Sequence, residues 1–244
     1  MLAAVNLFDL AILRFVNGFA RESYTLDLVI AIVADNNLIK GGVIVPMLWW
    51  AWFRQDKNQG SNRTLILGTI VAGFLALVCA RVLQLTLPFR PRPLHDPTAG
   101  FQVPYAVDVT SLSEWSAFPS DHVTLFFALA TGLVLISRTV GATAFIHALV
   151  VICIPRIYLG LHYPSDIIGG ALIGIGIAYL VKKNSKIANE INEFVMVKLR
   201  TSPGGGYACF FVLTYQLATL FEDARIMAGA AGNVVRAILS RFLD

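Results

Sequence analysis

Residues 64–80 read TLILGTIVAGFLALVCA, an apolar run without a single charged side chain. A helix that crosses a bilayer needs about 20 mainly apolar residues, and fewer when flanking polar side chains extend to the interface. The run therefore predicts a transmembrane helix. Of the 244 residues in the whole chain, 57 % are hydrophobic and 14 % are charged, whereas about 25 % of the residues in soluble domains are charged. This composition excludes an ordinary soluble enzyme and favours an all-α polytopic membrane protein.

Further apolar runs extend this prediction along the chain, and the mean hydropathy of +0.69 agrees with it. They lie at residues 28–34, 41–53, 123–137, 139–155 and 167–181. Together with residues 64–80 they predict a core of six transmembrane helices within residues 24–186.

Two segments flank this predicted core. Residues 1–23 mix apolar and charged positions, a pattern typical of a helix that lies in the membrane interface. Residues 187–244 predict a C-terminal helical extension, with an extra membrane helix at 207–221 and an amphipathic helix at 222–244. We consider this extension a candidate binding surface for a protein partner.

Basic residues predict which ends of the helices face the cytoplasm. Arg63, Arg138 and Lys182 lie beside apolar runs, and such residues concentrate in cytoplasmic loops. The long segment 81–121 and the short turn 161–164 then lie together on the outer face. The formal net charge of +4 fits these loops, and we expect no nucleic-acid partner.

The first polar cluster on this outer face is PFRPRP at residues 88–93. Prolines keep the backbone extended, so Arg90 and Arg92 are presented together. A guanidinium group is a planar donor that suits phosphate oxygens. The alternative is a pair of interfacial arginines that merely ends a helix.

The second cluster is FPSDH at residues 118–122, directly before an apolar run. Proline is favoured in the first turn of a helix, so the following backbone N–H groups are free to bind an anion. Ser120 adds a hydroxyl donor, and His122 adds a titratable group. The alternative is a Ser120 or Asp121 helix cap beside an incidental histidine.

The third cluster is RIYLGLHYPSD at residues 156–166. Asp166 falls in the first turn of the next predicted helix, from where its carboxylate can bend back and orient the imidazole of His162. A neutral, oriented imidazole is a usable nucleophile toward phosphorus. Arg156 is costly at the end of a membrane helix, so it is functional or paired. The alternative is an Arg156–Asp166 ion pair with a bystander histidine.

Taken together, the three clusters resemble the signature of the type 2 phosphatidic acid phosphatase (PAP2) superfamily of integral membrane lipid phosphatases. That signature reads K-x6-R-P, then P-S-G-H, then S-R-x5-H-x3-D. In this chain the first motif matches at RP (92–93), the second matches at PS and H within residues 119–122, and the third matches at Arg156, His162 and Asp166. The resemblance covers residues 64–181.

The chain departs from the family pattern at three positions. Leu85 stands where the first motif has lysine, and Leu83 does so if the motif is counted from Arg90. Arg81 lies further back along the same predicted helix, and the sequence does not show whether it reaches the site. Asp121 replaces the family glycine, as in members that resemble the bacterial undecaprenyl diphosphatases. Pro155 replaces the serine before the arginine of the third motif.

The resemblance implies a metal-independent hydrolase of a polyprenyl diphosphate or a similar lipid phosphate, acting through a phosphohistidine. It implies His162 as nucleophile, Asp166 as its orienting group, and His122 as the acid that protonates the leaving oxygen and later activates water. The residues expected to hold the phosphate oxygens are Arg90, Arg92, Ser120, Asp121 and Arg156. Neither a cofactor nor a metal is implied.

The expected partners are the lipid substrate and the bilayer. We expect a bacterial inner membrane protein whose active site faces the periplasm or exterior. Two alternatives stay open from the sequence. One is a lipid phosphotransferase with the same site, and the other is a catalytically weakened lipid-binding or assembly subunit, suggested by Leu85 and the C-terminal extension. His147 has no polar partner nearby in the sequence, and we predict a structural role for it.

Overall fold

A computed structural model describes residues 6–222 of the chain except residues 106 and 111. Within these residues the regular structure is entirely helical, which confirms the all-α prediction. The α-helices are α1 (Leu7–Asn17), α2 (Tyr24–Asp35), α3 (Asn37–Phe53), α4 (Gln59–Thr86), α5 (Asp121–Ile136), α6 (Arg138–His147), α7 (Ile154–Tyr158), α8 (Pro164–Lys183), α9 (Ser185–Thr201) and α10 (Pro203–Ala218). Short 3-10 turns at Pro93–His95 and Pro97–Ala99 lie in the long loop between α4 and α5.

Three helical stretches in the described part of the chain are long and apolar enough to cross a membrane. They are α4, α8 and the continuous stretch Arg138–Tyr158, in which a π-helical segment joins α6 to α7. The pair α2 and α3 would be a fourth span, bent by 48° at its break. Helix α5 is apolar but has 16 residues, which gives a length of about 24 Å against a hydrocarbon core of about 30 Å. Length and composition therefore support three or four spans, fewer than the six that the sequence predicts.

Close contacts between small residues pack α5 against its neighbours. A Cβ atom at Gly132 would lie 2.0 Å from the hydroxyl of Thr69 on α4, and one at Gly174 on α8 would lie 2.2 Å from the carbonyl oxygen of Thr124. Small residues allow this approach, which is typical of helices packed inside membranes. The beginnings of α5 and α8, where the second and third polar clusters lie, are thereby held close together.

Helices α3 and α10 form a second closely packed pair. A Cβ atom at Gly41 would lie 2.4 Å from the carbonyl oxygen of Ala218, and the indole N–H of Trp49 donates to the hydroxyl of Thr214 at 3.2 Å. The end of α10 therefore lies beside the beginning of α3. Residues 223–244, where most of the second predicted helix of the extension falls, lie outside the described residues.

The N-terminal helix α1 has 11 residues, too few to cross a bilayer. Its buried face carries Asp9, Leu13 and Asn17, while Leu7 and Phe15 are exposed. The Asn17 side-chain amide donates to a backbone carbonyl in the long α4–α5 loop at 2.8 Å. Helix α1 is thus fastened to the end of the bundle where the polar clusters lie.

Candidate active site

A cavity of about 320 Å³ opens at this end of the bundle. Its lining comes from elements throughout the chain, and the residues are Asp35, Lys40, Arg81, Arg92, Leu112, Trp115, Asp121, His122, Arg156, His162, Thr219, Leu220 and Glu222. Five of the eight predicted site residues are among them. The other three, Arg90, Ser120 and Asp166, do not line the cavity.

His162 lies in the loop before α8, with 1 % of its surface exposed. Its Nδ1 is 2.8 Å from the carbonyl oxygen of Ala117. A carbonyl only accepts, so Nδ1 carries the proton and Nε2 keeps its lone pair. Burial, followed by the positive charges of Arg92 and Arg156, holds the pKa of His162 well below its usual range. The imidazole is therefore neutral and oriented, as a nucleophile requires.

Asp166 does not hold His162 in the way the sequence predicts. Its Oδ2 accepts the backbone N–H of Tyr163 at 2.8 Å as a cap of α8, but lies 3.9 Å from Nδ1 of His162. Oδ1 accepts a hydrogen bond from Arg90 at 2.5 Å. Each carboxylate oxygen thus accepts one hydrogen bond elsewhere, and the nearer Ala117 carbonyl orients the imidazole, whereas Asp166 acts on it only electrostatically.

Arg90 lies outside the cavity, contrary to the prediction that it helps to hold substrate. Its guanidinium group bonds to the carboxylate of Asp9 at 2.7 Å, to Asp166, and to the hydroxyl of Ser165 at 2.8 Å. It also stacks over the ring of Tyr163, 4.6 Å from its centroid. Arg90 therefore neutralises two fully buried carboxylates instead of a phosphate.

Asp9 is a functional candidate that the sequence did not reveal. It is fully buried, and besides Arg90 it accepts hydrogen bonds from the backbone N–H of Ser165 at 2.8 Å and from the hydroxyl of Ser165 at 2.6 Å. One carboxylate from α1 thus supports both Arg90 and the first turn of α8.

Ser120 is also placed differently from the prediction. Its side chain is fully buried, and its hydroxyl oxygen has no hydrogen-bond partner among the described residues. Its backbone N–H donates to the carbonyl oxygen of Asp166 at 3.3 Å. Neither group is therefore directed at a substrate in the cavity.

Asp121 orients the second histidine. Its Oδ1 lies 2.9 Å from Nδ1 of His122, and its Oδ2 lies 2.6 Å from the guanidinium group of Arg81. The carboxylate of Asp121 thus forms an Asp–His pair, while the phosphate contact expected of the backbone N–H groups near Asp121 stays a prediction. The Nε2 of His122 is left for proton transfer, in the arrangement used by general acid–base histidines.

Arg81 reaches the site, a point that the sequence left open. It lines the cavity, stacks against Trp115 at 5.0 Å from the ring centroid, and pairs with Asp121. Lys40, Asp35 and the residues after α10 also line the cavity without having been predicted. A charged residue inside a mainly apolar segment is the signal that could have identified Lys40.

Arg92 and Arg156 are buried and line the cavity, and their expected role in holding phosphate oxygens stays a prediction. The Nε of each has no hydrogen-bond partner among the described residues, which is costly for a buried donor unless an anion binds there. Burial lowers the pKa of Arg92 to about 10, so the group is charged at neutral pH. The alternative ion pair between Arg156 and Asp166 does not form, since Asp166 is bonded to Arg90.

His147 lies away from this site. Its Nε2 is 2.9 Å from the carbonyl oxygen of Ile39, so it links α6 to α3, and this contact agrees with a structural role.

The helical bundle and its cavity of two oriented histidines and buried guanidinium groups define a membrane phosphatase. Residues 63–189 match the model of the PAP2 superfamily, and the chain belongs to this family. The matched segment contains both histidines, but Lys40 and the cavity residues after α10 lie outside it.

Two relatives and one solved structure are similar to this chain over about three quarters of its length. The chain is 24 % identical over 185 residues to undecaprenyl-diphosphatase BcrC of Bacillus subtilis (strain 168), covering 76 % of this chain and 88 % of the relative. It is 26 % identical over 194 residues to bacitracin transport permease protein BcrC of Bacillus licheniformis, covering 78 % and 89 %. The crystal structure of Aquifex aeolicus LpxE shares the fold, with a TM-score of 0.50 and 24 % identity over 75 % of this chain and 99 % of that one.

Proposed function

We propose that this chain hydrolyses a polyprenyl diphosphate, with undecaprenyl diphosphate as the first candidate, through a phosphohistidine and without a metal ion. The observation that carries the proposal is the neutral His162 beside two buried guanidinium groups with unpartnered Nε atoms. The name of the Bacillus subtilis relative supports the choice of lipid.

In the first step, the Nε2 lone pair of His162 attacks the terminal phosphorus. The bond from phosphorus to the bridging oxygen breaks, and its electron pair leaves with the lipid monophosphate. His122, held through Nδ1 by the carboxylate of Asp121, gives a proton from Nε2 to the departing oxygen. Arg92 and Arg156 neutralise the charge on the equatorial oxygens, which is the main catalytic requirement in phosphoryl transfer.

In the second step, water attacks the phosphohistidine. His122 accepts a proton from the water through Nε2, and the new phosphorus–oxygen bond forms as the phosphorus–nitrogen bond breaks. The electron pair of that bond returns to Nε2 of His162, and inorganic phosphate leaves. Because Nδ1 of His162 stays bonded to the Ala117 carbonyl, the ring keeps the same tautomer throughout.

Arg90 and Asp166 serve this chemistry as positioning residues. Asp166 caps α8 directly after the loop that carries His162, and Arg90 holds that carboxylate in place. The negative charge of Asp166, 3.9 Å from Nδ1, favours the positive charge that develops on the ring during attack.

We further propose how the protein sits in the membrane. Residues 24–186 would form a six-helix core, in which α5 reaches across by means of polar residues at its ends. Residues 1–23 would lie in the interface, and residues 187–244 would form the helical extension. The cavity would face the periplasm of a bacterial inner membrane, because basic residues flank the opposite ends of the helices. A lipid headgroup could then enter from the side while its chain stays in the bilayer.

The test is phosphate release in detergent from undecaprenyl diphosphate and from phosphatidate, with EDTA present. His162→Ala should abolish turnover, whereas His95→Ala, a histidine outside the cavity, should leave it within about twofold. The wild type should prefer the diphosphate. Label that passes to an added acceptor lipid instead of water would indicate a phosphotransferase. A folded sample without turnover on either lipid would refute the proposal.

A further inference from the structure

Lys40 is a buried cation whose ammonium group has no partner among the described residues. Only 5 % of its surface is exposed, and it lines the active-site cavity near the beginning of α3. Its ammonium group forms neither a hydrogen bond nor an ion pair within residues 6–222, positions 106 and 111 excepted. A charge withdrawn from water is costly unless an anion compensates it. The cavity is where such an anion can bind.

Packing fixes Lys40 in this position. The next residue, Gly41, lies so close to Ala218 that an added Cβ atom would be 2.4 Å from its carbonyl oxygen. Helix α3 therefore cannot rotate against α10 without a clash. The charged groups that act on Lys40 electrostatically are Arg156, Asp35, Glu222 and Asp121. None of the three carboxylates is within 4.0 Å of the ammonium group, and Asp121 is already paired with Arg81.

The other cavity cations divide into two groups. Arg81 is paired with a carboxylate, whereas Arg92 and Arg156 adjoin the nucleophilic histidine and have free Nε atoms. The latter two are placed to bind the phosphoryl group under attack. Lys40 is an additional cation, and a second phosphoryl group is the part of a diphosphate that still requires one.

The lysine of the first family motif would fall at position 85, but this chain has Leu85 there, so that position supplies no charge. Leu85 is 75 % exposed and is absent from the cavity lining. A lysine reaching the cavity from α3 therefore stands in for one missing from α4.

We propose that Lys40 binds the phosphoryl group that departs with the lipid, so that the site selects diphosphates over monophosphates. This inference rests on the proposed function and names a specificity residue outside the segment that matches the family. A charge-assisted hydrogen bond of this kind corresponds to about tenfold or more in affinity.

The kinetic test compares farnesyl diphosphate with farnesyl monophosphate in detergent. Lys40→Met should lower kcat/KM at least about tenfold more for the diphosphate than for the monophosphate. Lys40→Arg should keep most of the wild-type preference for the diphosphate. Lys57→Met, which removes an exposed lysine, should leave kcat/KM unchanged for both substrates. An equal loss on both substrates would overturn the proposal.

A binding test separates this proposal from the proposed function. Inorganic diphosphate and phosphate are titrated into the purified wild type and Lys40→Met, with circular dichroism to confirm folding. The wild type should bind diphosphate at least about tenfold more tightly than phosphate, and the variant should lose that preference. If the protein shows this binding preference but hydrolyses neither undecaprenyl diphosphate nor phosphatidate, the proposed function is refuted and the role of Lys40 is not. A wild type without preference, or a variant that keeps it, would refute the role of Lys40.

Discussion

Replacing Asp9 by alanine tests whether the N-terminal helix supports the catalytic loop. The change removes four hydrogen bonds from a fully buried carboxylate, one from Arg90, two from Ser165 and one from the side-chain amide of Asn6. Breaking a buried ion pair by removing one partner costs about 3–5 kcal/mol. Arg90 keeps its bond to Asp166 and is a quarter exposed, so we expect the lower end, about 3 kcal/mol. For a chain of this size that corresponds to a fall in Tm of about 6–12 °C.

The same variant should also lose activity. Without Asp9, Arg90 is drawn toward Asp166 alone, and the first turn of α8 loses its anchor at Ser165. We expect kcat to fall about tenfold with KM little changed, because the nucleophile is displaced while the cavity arginines stay in place. Asp9→Asn keeps one acceptor and should give an intermediate result.

The assays are thermal unfolding in detergent and steady-state phosphate release, with Asp108→Asn as a control at an exposed aspartate. A double-mutant cycle with Arg90→Met isolates the interaction between Asp9 and Arg90. The loss of unfolding free energy in the double variant should be clearly smaller than the sum of the losses in the two single variants. Strict additivity, or a Tm of Asp9→Ala within about 2 °C of the wild type, would refute this account of α1.

Three further predictions follow from the site. The folded state holds His162 neutral, while the unfolded chain protonates it at about pH 6.5, so the wild type should lose stability as pH falls below that value, by up to about 1.4 kcal/mol per pH unit. In denaturant titrations, the unfolding free energy of His162→Gln should depend less steeply on pH. Equal slopes for the two proteins would contradict the buried neutral state. Asp121→Asn should lower kcat at least about 100-fold, since it removes the carboxylate that orients His122. A change below threefold in the phosphate assay would exclude the Asp–His pair from proton transfer. Ser120→Ala should keep kcat and KM within about threefold, because within the described part of the chain the hydroxyl has no hydrogen-bond partner, and Ser120 does not line the cavity. A larger loss would mean that the hydroxyl binds substrate.

The sequence predicted the general location of the site better than the role of each residue. Helix α4 follows directly from its apolar run, and the starts of α5 and α8 follow from proline in the first turn. The sequence did not show that Arg90 and Arg92, the two arginines of the first cluster, have different surroundings. Arg92 has φ −76° and ψ 155°, close to a polyproline helix with three residues per turn. Side chains two positions apart then diverge, so Arg90 turns toward Asp9 while Arg92 enters the cavity.

The two aspartates show a second limit of sequence reasoning. Asp166 is four residues after His162, a spacing that favours contact at a helix start, whereas Asp121 directly precedes His122. The structure gives the hydrogen bond to the adjacent pair, because the carboxylate of Asp166 is already taken by Tyr163 and Arg90. Competition from a distant arginine is a tertiary effect, and local spacing contains no information about it.

The origin of each cavity residue suggests how chemistry and substrate choice are separated in this protein. Both histidines lie at the starts of α5 and α8, which glycine contacts hold together, so their mutual geometry is set within the segment that matches the family. Lys40 and the residues after α10 come from helices outside that segment and are held by a different close contact, between Gly41 and Ala218. Substitutions on α3 or α10 can therefore change which headgroup is bound without moving the nucleophile. With the proposed role of Lys40, the missing family lysine changes where the charge comes from and leaves the proposed catalytic residues in place.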